Sequence, residues 1–507
     1  MPFIPVQWAR QTVEGRQDAS DGSRLVNFYA VNPVSPEDVK SKVIIYSAPG
    51  YSKWAEINGK PYLTIRPGTS IQGLLAIDSP VFGKRLFAVV GDGAQLAEIK
   101  AEDYTGSSYV VPNDRIYQIT TELDERISGP ARMVTDGRHV MICGKNRPYI
   151  YEFGSDRPGF KAVFAPTPDD AAATLPDEEW VDCLWSDGYY ILLARGGQIF
   201  HSLLNSVQFD QLDFASAEAK PDGIVGGAVF NRRLYIFGTQ SIEQWYNAGT
   251  TFFAYTRDNS MVFDIGAASR DSIQVNEEAV FFLSSDGIVY AMIGTAIRRV
   301  SHEGVEYDIA KSNPSRARAW TYTEEGHRFY SLTIISDADN GEGWEQAPGG
   351  EYRKNWTLDT TTGFWHERTL TSVLCAANFE GANLIGTDVS EYAYELDLDV
   401  GTADGEAIRR EAISPVVSND QMRIQCHSFE IDLARKARFG DTDTCVMTFS
   451  DDEKETFSKP KARRCKQSRV RWNALGQFRN RHFSLVTEAL ARCDIVGAYV
   501  QIRLLRN

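Results

Sequence analysis

The sequence has no run of 18 apolar residues, which excludes a membrane-spanning helix. Its opening, Met1-Pro2-Phe3-Ile4-Pro5-Val6-Gln7-Trp8, lacks a basic segment followed by an apolar stretch, so no secretory signal is expected. Cysteine is scarce and has no metal or redox spacing: Cys143, Cys183, Cys375, Cys426, Cys445, Cys465 and Cys493 are odd in number and form no CxxC pair. They read as buried thiols of a protein made in a reducing compartment, not as a disulfide framework. Nucleophile and zinc motifs are also missing: there is no Gly-x-Ser-x-Gly elbow and no His-Glu-x-x-His. His427 adjoins Cys426, but neighbours on a strand point to opposite faces and make poor partners. Helical signals are few, and the stretch from Pro166 to Glu179, with three prolines, reads as an excursion between strands.

Positive charge is in deficit. A net charge of −15 argues against a chain-wide nucleic-acid binder, since phosphate neutralisation needs clustered Lys and Arg. The balance is uneven: residues 433–507 hold 16 Lys and Arg against 8 Asp and Glu, a surplus of eight that leaves the first 432 residues at −23.

What is abundant is apolar and aromatic: 43% and 11% of 507 residues, enough for a large core. From about residue 70 a pattern recurs in which an apolar run crosses a turn into a second run. Arg85–Gly91 leads to Gln95–Ile99, Val140–Gly144 to Tyr149–Phe153, and Tyr189–Ala194 to Gln198–Ser202. Further copies begin at Arg233, Val280, Arg328 and Asn383, a spacing of roughly 45 to 55 residues. Strand-turn-strand units at that period predict propeller blades, six or seven of them. Asp136-Gly137, Asp187-Gly188, Asp222-Gly223 and Asp286-Gly287 fit type I′ hairpin turns. The Gly-, Asp- and Glu-rich segment Ile335 to Arg353 reads as a long exposed hairpin loop. After about residue 405 the rhythm changes to alternating strands with a Ser450-Asp451-Asp452 turn. The chain therefore divides into an N-terminal arm and ring-closing segment (1–70), the blades (71–404) and a C-terminal β module (405–507) that either stands alone or completes the last blade.

One unit is the most distinctive. Arg233-Leu234-Tyr235-Ile236-Phe237-Gly238-Thr239 turns into Ser241-Ile242-Glu243-Gln244-Trp245-Tyr246-Asn247 and reaches Gly249. Trp245 and Tyr246 put one large ring on each face of a strand, which requires cover on both sides. The residues Phe237, Gly238, Ser241, Ile242, Glu243, Trp245, Tyr246, Asn247 and Gly249 resemble a signature of the packaged-DNA stabilisation proteins of short-tailed phages, the tail nozzle or tail accessory proteins of the P22 type. Arg24, Asn27 and Tyr29 followed by Pro49-Gly50 are similar to that family's entry segment. The Ser450-Asp451-Asp452 turn with Arg471-Trp472, Leu475-Gly476, Arg479, Arg481 and Phe483 is similar to its C-terminal portion.

The resemblance implies a structural virion tail protein, not an enzyme. It implies six copies in a ring beneath the portal and adaptor, contact with a tail adaptor and with a fibre, spike or plug protein, and transient passage of double-stranded DNA. Such a protein would be made in the host cytoplasm and would end in the virion tail. A predominantly acidic lumen would confine DNA without gripping it. The alternative is a propeller glycoside hydrolase, whose candidate carboxylates are Glu178, Glu179, Asp182 and Glu243. No catalytic residue, metal or cofactor is assigned. Asp337-Ala338-Asp339-Asn340-Gly341 begins like a calcium loop but has Pro348 where the closing Glu belongs, and Asn355-Trp356-Thr357 is a sequon without a secretory context. The strongest charged feature is the basic run Lys459, Lys461, Arg463, Arg464, Lys466, Arg469 and Arg471, continued by Arg479 and Arg481. It suits a contact with an acidic neighbouring subunit, DNA phosphates or only solvent, and the acidity of the rest of the chain favours the subunit over DNA.

Overall fold

Each apolar run that begins a repeat forms the second strand of a four-stranded antiparallel unit. In the computed structural model these strands are Gly83–Val90, His139–Cys143, Tyr189–Ala194, Arg233–Gly238, Val280–Leu283, His327–Ser336 and Ala382–Thr387. The structure describes residues 3–13, 22–32, 43–54, 63–64, 69–100, 109–110, 116–119, 127–143, 148–153, 159–161, 175–434, 440–465 and 468–505, apart from positions 7, 9, 92, 128, 177, 218, 219, 251, 420, 421, 441 and 442. Most of the Pro166–Glu179 excursion and Lys466 lie outside them.

The first strands of the units, Gly73–Ser79, Met133–Thr135, Trp180–Ser186, Ile224–Phe230, Gln274–Val275, Arg318–Glu324 and Val373–Phe379, neighbour one another in sequence order, and the last neighbours the first. That closed circuit is a β-propeller. Six sheets serve as blades of the propeller alone, and the unit from Arg318 to Arg368 runs on, strand by strand, into the C-terminal module. The expected all-β propeller with six or seven blades is therefore present. Among the described residues there is one α-helix, Glu303–Ala310.

Apolar side chains alternate to both faces of each sheet, so the core is divided into wedges between blades. Phe87, Val89, Val140 and Ile142 fill one wedge; Met141, Ile150, Leu192 and Phe200 fill the next. The circuit closes where Ile71, Leu86 and Ala88 of the first blade meet Leu374, Cys375 and Leu384 of the last. Gly50–Lys53, from the N-terminal stretch, adds to this last blade as its fourth strand, pairing antiparallel with Tyr394–Asp397. A Cβ on Gly50 would overlap the carbonyl oxygens of Val400 and Thr402, so the splice admits only glycine there.

The C-terminal module is a β-sandwich built from both ends of the chain. One sheet runs Phe28–Val31, Ile44–Ser47, Ile495–Leu504, Ile424–Leu433, Arg469–Asn473. The other continues from Phe364–Arg368 through Arg24–Val26, Arg410–Ile413, Asn480–Thr487 and Thr444–Ser450 to the edge strand Lys461–Arg464. Trp8, Phe28, Phe429, Trp472 and Phe483 fill the space between, with Phe429 and Phe483 stacked at 4.6 Å.

Several turn assignments need correction. Asp187 and Gly188 both have positive φ (51° and 85°), as a type I′ turn demands; at Asp136-Gly137 and Asp286-Gly287 only the glycine does, and at Asp222-Gly223 neither residue does. The Ile335–Arg353 loop is only partly exposed: Trp344 is buried in the core, and Glu342 reaches back to an ion pair with Arg24.

Candidate functional site

The signature unit is held by its neighbours as much as by its own ladder. Strand Arg233–Gly238 pairs with Ile242–Asn247, with Phe237 opposite Ile242 and Leu234 opposite Trp245. The turn between them is clamped from outside: the Asp222 carboxylate accepts from Gln240 N–H at 2.7 Å and from Ser241 Oγ at 3.0 Å. A Cβ on Gly238 would overlap that carboxylate, and a Cβ on Gly266 would overlap the backbone of Thr239 and Gln240. Both glycines are therefore explained by close approach rather than by unusual φ.

Glu243 and Trp245 share a face, two residues apart, and the buried Glu243 Oε2 accepts from Trp245 Nε1 at 3.0 Å while Arg257 lies 3.4 Å from its other oxygen. Tyr246, on the opposite face, packs under the Arg233 guanidinium, 5.1 Å from its ring centre. Asn247 Oδ1 accepts from Gly249 N–H at 3.0 Å, and Gly249 takes φ 65° to leave the strand. Every signature position thus has a packing or turn-forming task.

Of the two other family-like segments, the entry segment lies at the junction of propeller and sandwich and the C-terminal one within the sandwich. Arg24 makes a paired hydrogen bond to Glu367 at 2.9 Å from each nitrogen, Asn27 donates to Arg409 O at 2.8 Å, and Tyr29 packs edge-on against Phe329. Arg481 departs from the exposed basic run in which the sequence placed it. It is 1% exposed, binds the Asp451 carboxylate at 2.6 and 2.7 Å, donates to Leu475 O and lies 3.8 Å from the Phe449 ring centre. The Ser450-Asp451-Asp452 turn and the Arg481 strand are thereby two halves of one clamp.

The remaining basic residues form a surface. Lys461–Arg464 is the edge of one sandwich sheet and Arg469–Asn473 the edge of the other, and the two lie side by side. Arg463, Arg464, Arg469 and Arg471 point outward, as does Lys459 just before the strand. Arg469 is drawn to Asp432 at 3.1 Å, and Arg471 donates to Ser428 Oγ and Gln501 Oε1, both at 2.9 Å. Lys461 bends over the Phe449 ring. Among the described residues no carboxylate lies within ion-pair distance of Lys459, Arg463 or Arg464, and all three are exposed.

The carboxylates of the hydrolase alternative do not converge. Asp182 is buried and accepts from Cys183 N–H and Gly227 N–H at 2.9 and 3.0 Å, joining two inner strands; Glu179 pairs with Arg195 on the surface; Glu243 serves Trp245. The inner end of the blades is occupied instead by a 3-10 turn, Arg270–Ser272. Arg270 donates to Val181 O and Pro130 O, while Arg132 donates to Arg270 O and Ile273 O, so one turn ties together blades that are distant in sequence. Sequence reading missed Gly266 and Arg270 and gave Asp222 to a different turn; only their spatial neighbours give them these roles. The calcium-like loop uses Asp337 to pair with Arg316 and Asp339 to accept from Gly341 N–H, and no group of three or more His, Cys, Asp or Glu suited to a metal occurs among the described residues. Asn355 of the sequon is fully buried between Thr333 and Ser331.

Solved structures with a similar course include the computationally designed Ika8 protein (9% identity, 67% of this chain and 99% of that one, TM-score 0.39). The extracellular domain of the putative hybrid two-component system BT4673 from B. thetaiotaomicron is matched at 10% identity over 76% of this chain and 43% of that one, TM-score 0.39. Chaetomium thermophilum Raptor is matched at 10% over 69% and 28%, TM-score 0.41. No curated protein matches by sequence. Residues 87–337, which contain the signature unit and its clamp, match the phage stabilisation family described as bacteriophage P22 Gp10, β-propeller.

Proposed function

We propose that the chain is a structural subunit of a virion tail, assembled as a homo-hexameric ring below the portal and adaptor, which retains packaged DNA and conducts it during ejection. The observation that carries this reading is the family match over residues 87–337, with the signature turn built as described. The chemistry of the fold supports it. The carboxylates that a hydrolase would need are bound to backbone amides, Arg195 and Trp245, and Arg270 fills the hub where a propeller enzyme would bind substrate.

A ring subunit also needs surfaces with no partner in the monomer. Leu212 (76% exposed) and Phe214 stand on one outer strand, Leu203 on the loop that leads into it, and Phe252 (82% exposed) on the loop of the next blade. Large apolar side chains left in water in this way suit a protein-protein contact. The Lys459, Arg463 and Arg464 charges, set against a body of −23, suit the acidic face of a neighbouring copy, and the DNA would pass through the ring of subunits past mainly acidic walls. The test is a phage stock made without the chain. The reading expects filled heads that lose their DNA after packaging and do not infect. Particles that hold their DNA and infect normally would overturn it.

A further inference from the structure

Three buried thiols gather beneath the basic edge strand. Cys445 lies in strand Thr444–Ser450, opposite Arg463, and Cys465 follows strand Lys461–Arg464, its N–H donating to Asp443 O at 3.0 Å. The two residues are thus diagonal neighbours across adjacent antiparallel strands, and their sulfurs are 2.8 Å apart. Cys493 also lies within hydrogen-bonding reach of Cys445, from the segment leading into the last strand.

We propose that Cys445 and Cys465 are a disulfide-forming site, and that closing it staples the basic edge strand to its sheet. The sulfurs need to approach only from 2.8 Å to the bonding distance of about 2.05 Å. The bond would close a loop spanning the Ser450-Asp451-Asp452 turn and the exposed Lys459 to Arg464 segment. The site is protected while closed: both side chains are buried, and the Cys465 thiol is held well above its usual range by its contact with Cys445 and by burial. Reaction therefore passes through fraying of Lys461–Arg464, which ends its sheet and has no further strand outside it among the described residues.

The oxidant is a low-molecular-weight disulfide. The frayed Cys465 loses its proton to solvent and its thiolate attacks one sulfur of the oxidant, releasing one small thiolate and leaving a mixed disulfide. Cys445 then loses its proton and attacks the Cys465 sulfur, forming the Cys445–Cys465 bond and releasing the second small thiolate. The protein is oxidised by two electrons and the oxidant is reduced to two thiols.

The proposal rests on thiol geometry and is independent of the virion reading. To test it, the full chain is incubated with oxidised glutathione, alkylated in denaturant and mapped by mass spectrometry, alongside trypsin digestion of the native protein. The expected result is a monomer in which two of the seven thiols resist alkylation, with a linked Cys445 and Cys465 peptide pair. Tryptic cleavage at Lys461 to Arg464 should slow by about tenfold or more and recover on reduction. Cys465→Ser should abolish both effects, and Cys143→Ser should keep both. Seven alkylated thiols, a Cys445–Cys493 pair, an intermolecular bond, or protection that survives Cys465→Ser would overturn it.

Discussion

Replacing Gly238 by Ala tests the reason for the most distinctive residue of the signature. Its backbone φ is ordinary, so alanine should cost nothing by itself and should gain about 0.4–1 kcal/mol by restricting the unfolded chain. The added methyl, however, would occupy the place of the Asp222 carboxylate. Evicting that group breaks its hydrogen bonds to Gln240 N–H and Ser241 Oγ. A hydrogen bond to a charged group is worth roughly 1.5–3 kcal/mol, and Asp222 is half-buried, so a loss of about 2 kcal/mol for both together is a fair magnitude. Asp222→Ala should lose the same about 2 kcal/mol. Once Asp222 is gone the clash is gone too, so adding Gly238→Ala to Asp222→Ala should be neutral or slightly stabilising. The two sites should therefore couple by about 2 kcal/mol in a double-mutant cycle. Because a chain with two modules need not unfold in one step, the assay is native-state hydrogen exchange of the amides in Ile242–Asn247. Additive effects, or a destabilising Gly238→Ala in the Asp222→Ala background, would refute the close-approach explanation.

Other expectations follow from single contacts. Burial lowers the pKa of His302, the cap of the only helix described, to about 4 from an ordinary value near 6.5; a depressed folded value means that its stability contribution is present above pH 6.5 and lost as pH falls toward 4. Urea titrations across that window should show a slope that flattens in His302→Asn, which keeps a capping acceptor. Arg270→Ala leaves the Val181 and Pro130 carbonyls without their donor and should cost about 3 kcal/mol by native-state hydrogen exchange of the amides in Trp180–Ser186. Leu193 and Ile142, in wedges on either side of the hub, should then lose side-chain order by NMR. Replacing Lys459, Arg463 and Arg464 together by Glu should leave thermal unfolding nearly unchanged, within about 0.5 kcal/mol per site, while abolishing self-assembly in sedimentation; ring formation equal to the parent would remove this edge from the interface.

The propeller was legible because its cause is local. Apolar runs separated by glycine turns, repeated every 45 to 55 residues, encode strands that must be covered on both faces, and the second strands lie where those runs are. A β module after about residue 405 was legible too, but its completion by the N-terminal strands was not, because its core joins Trp8 and Phe28 to Trp472 and Phe483, which are hundreds of residues apart in the chain. The same limit applies to Asp222, whose Asp-Gly pairing suggested a hairpin although its carboxylate closes another turn 18 residues on. Arg481 looked like one more member of a basic run; only the position of Asp451 and the ring of Phe449 distinguishes a buried clamp from a solvated charge. The candidate surface was readable as charge, but its place on two adjoining sheet edges was not.

The central claim concerns assembly, and electron microscopy of the virion tail tests it most directly. The account expects six copies around a channel wide enough for duplex DNA, with the Lys459–Arg464 edge or the Leu212–Phe214 edge in a subunit contact. A tail in which the chain is a single copy, or lies away from the DNA path, would contradict it.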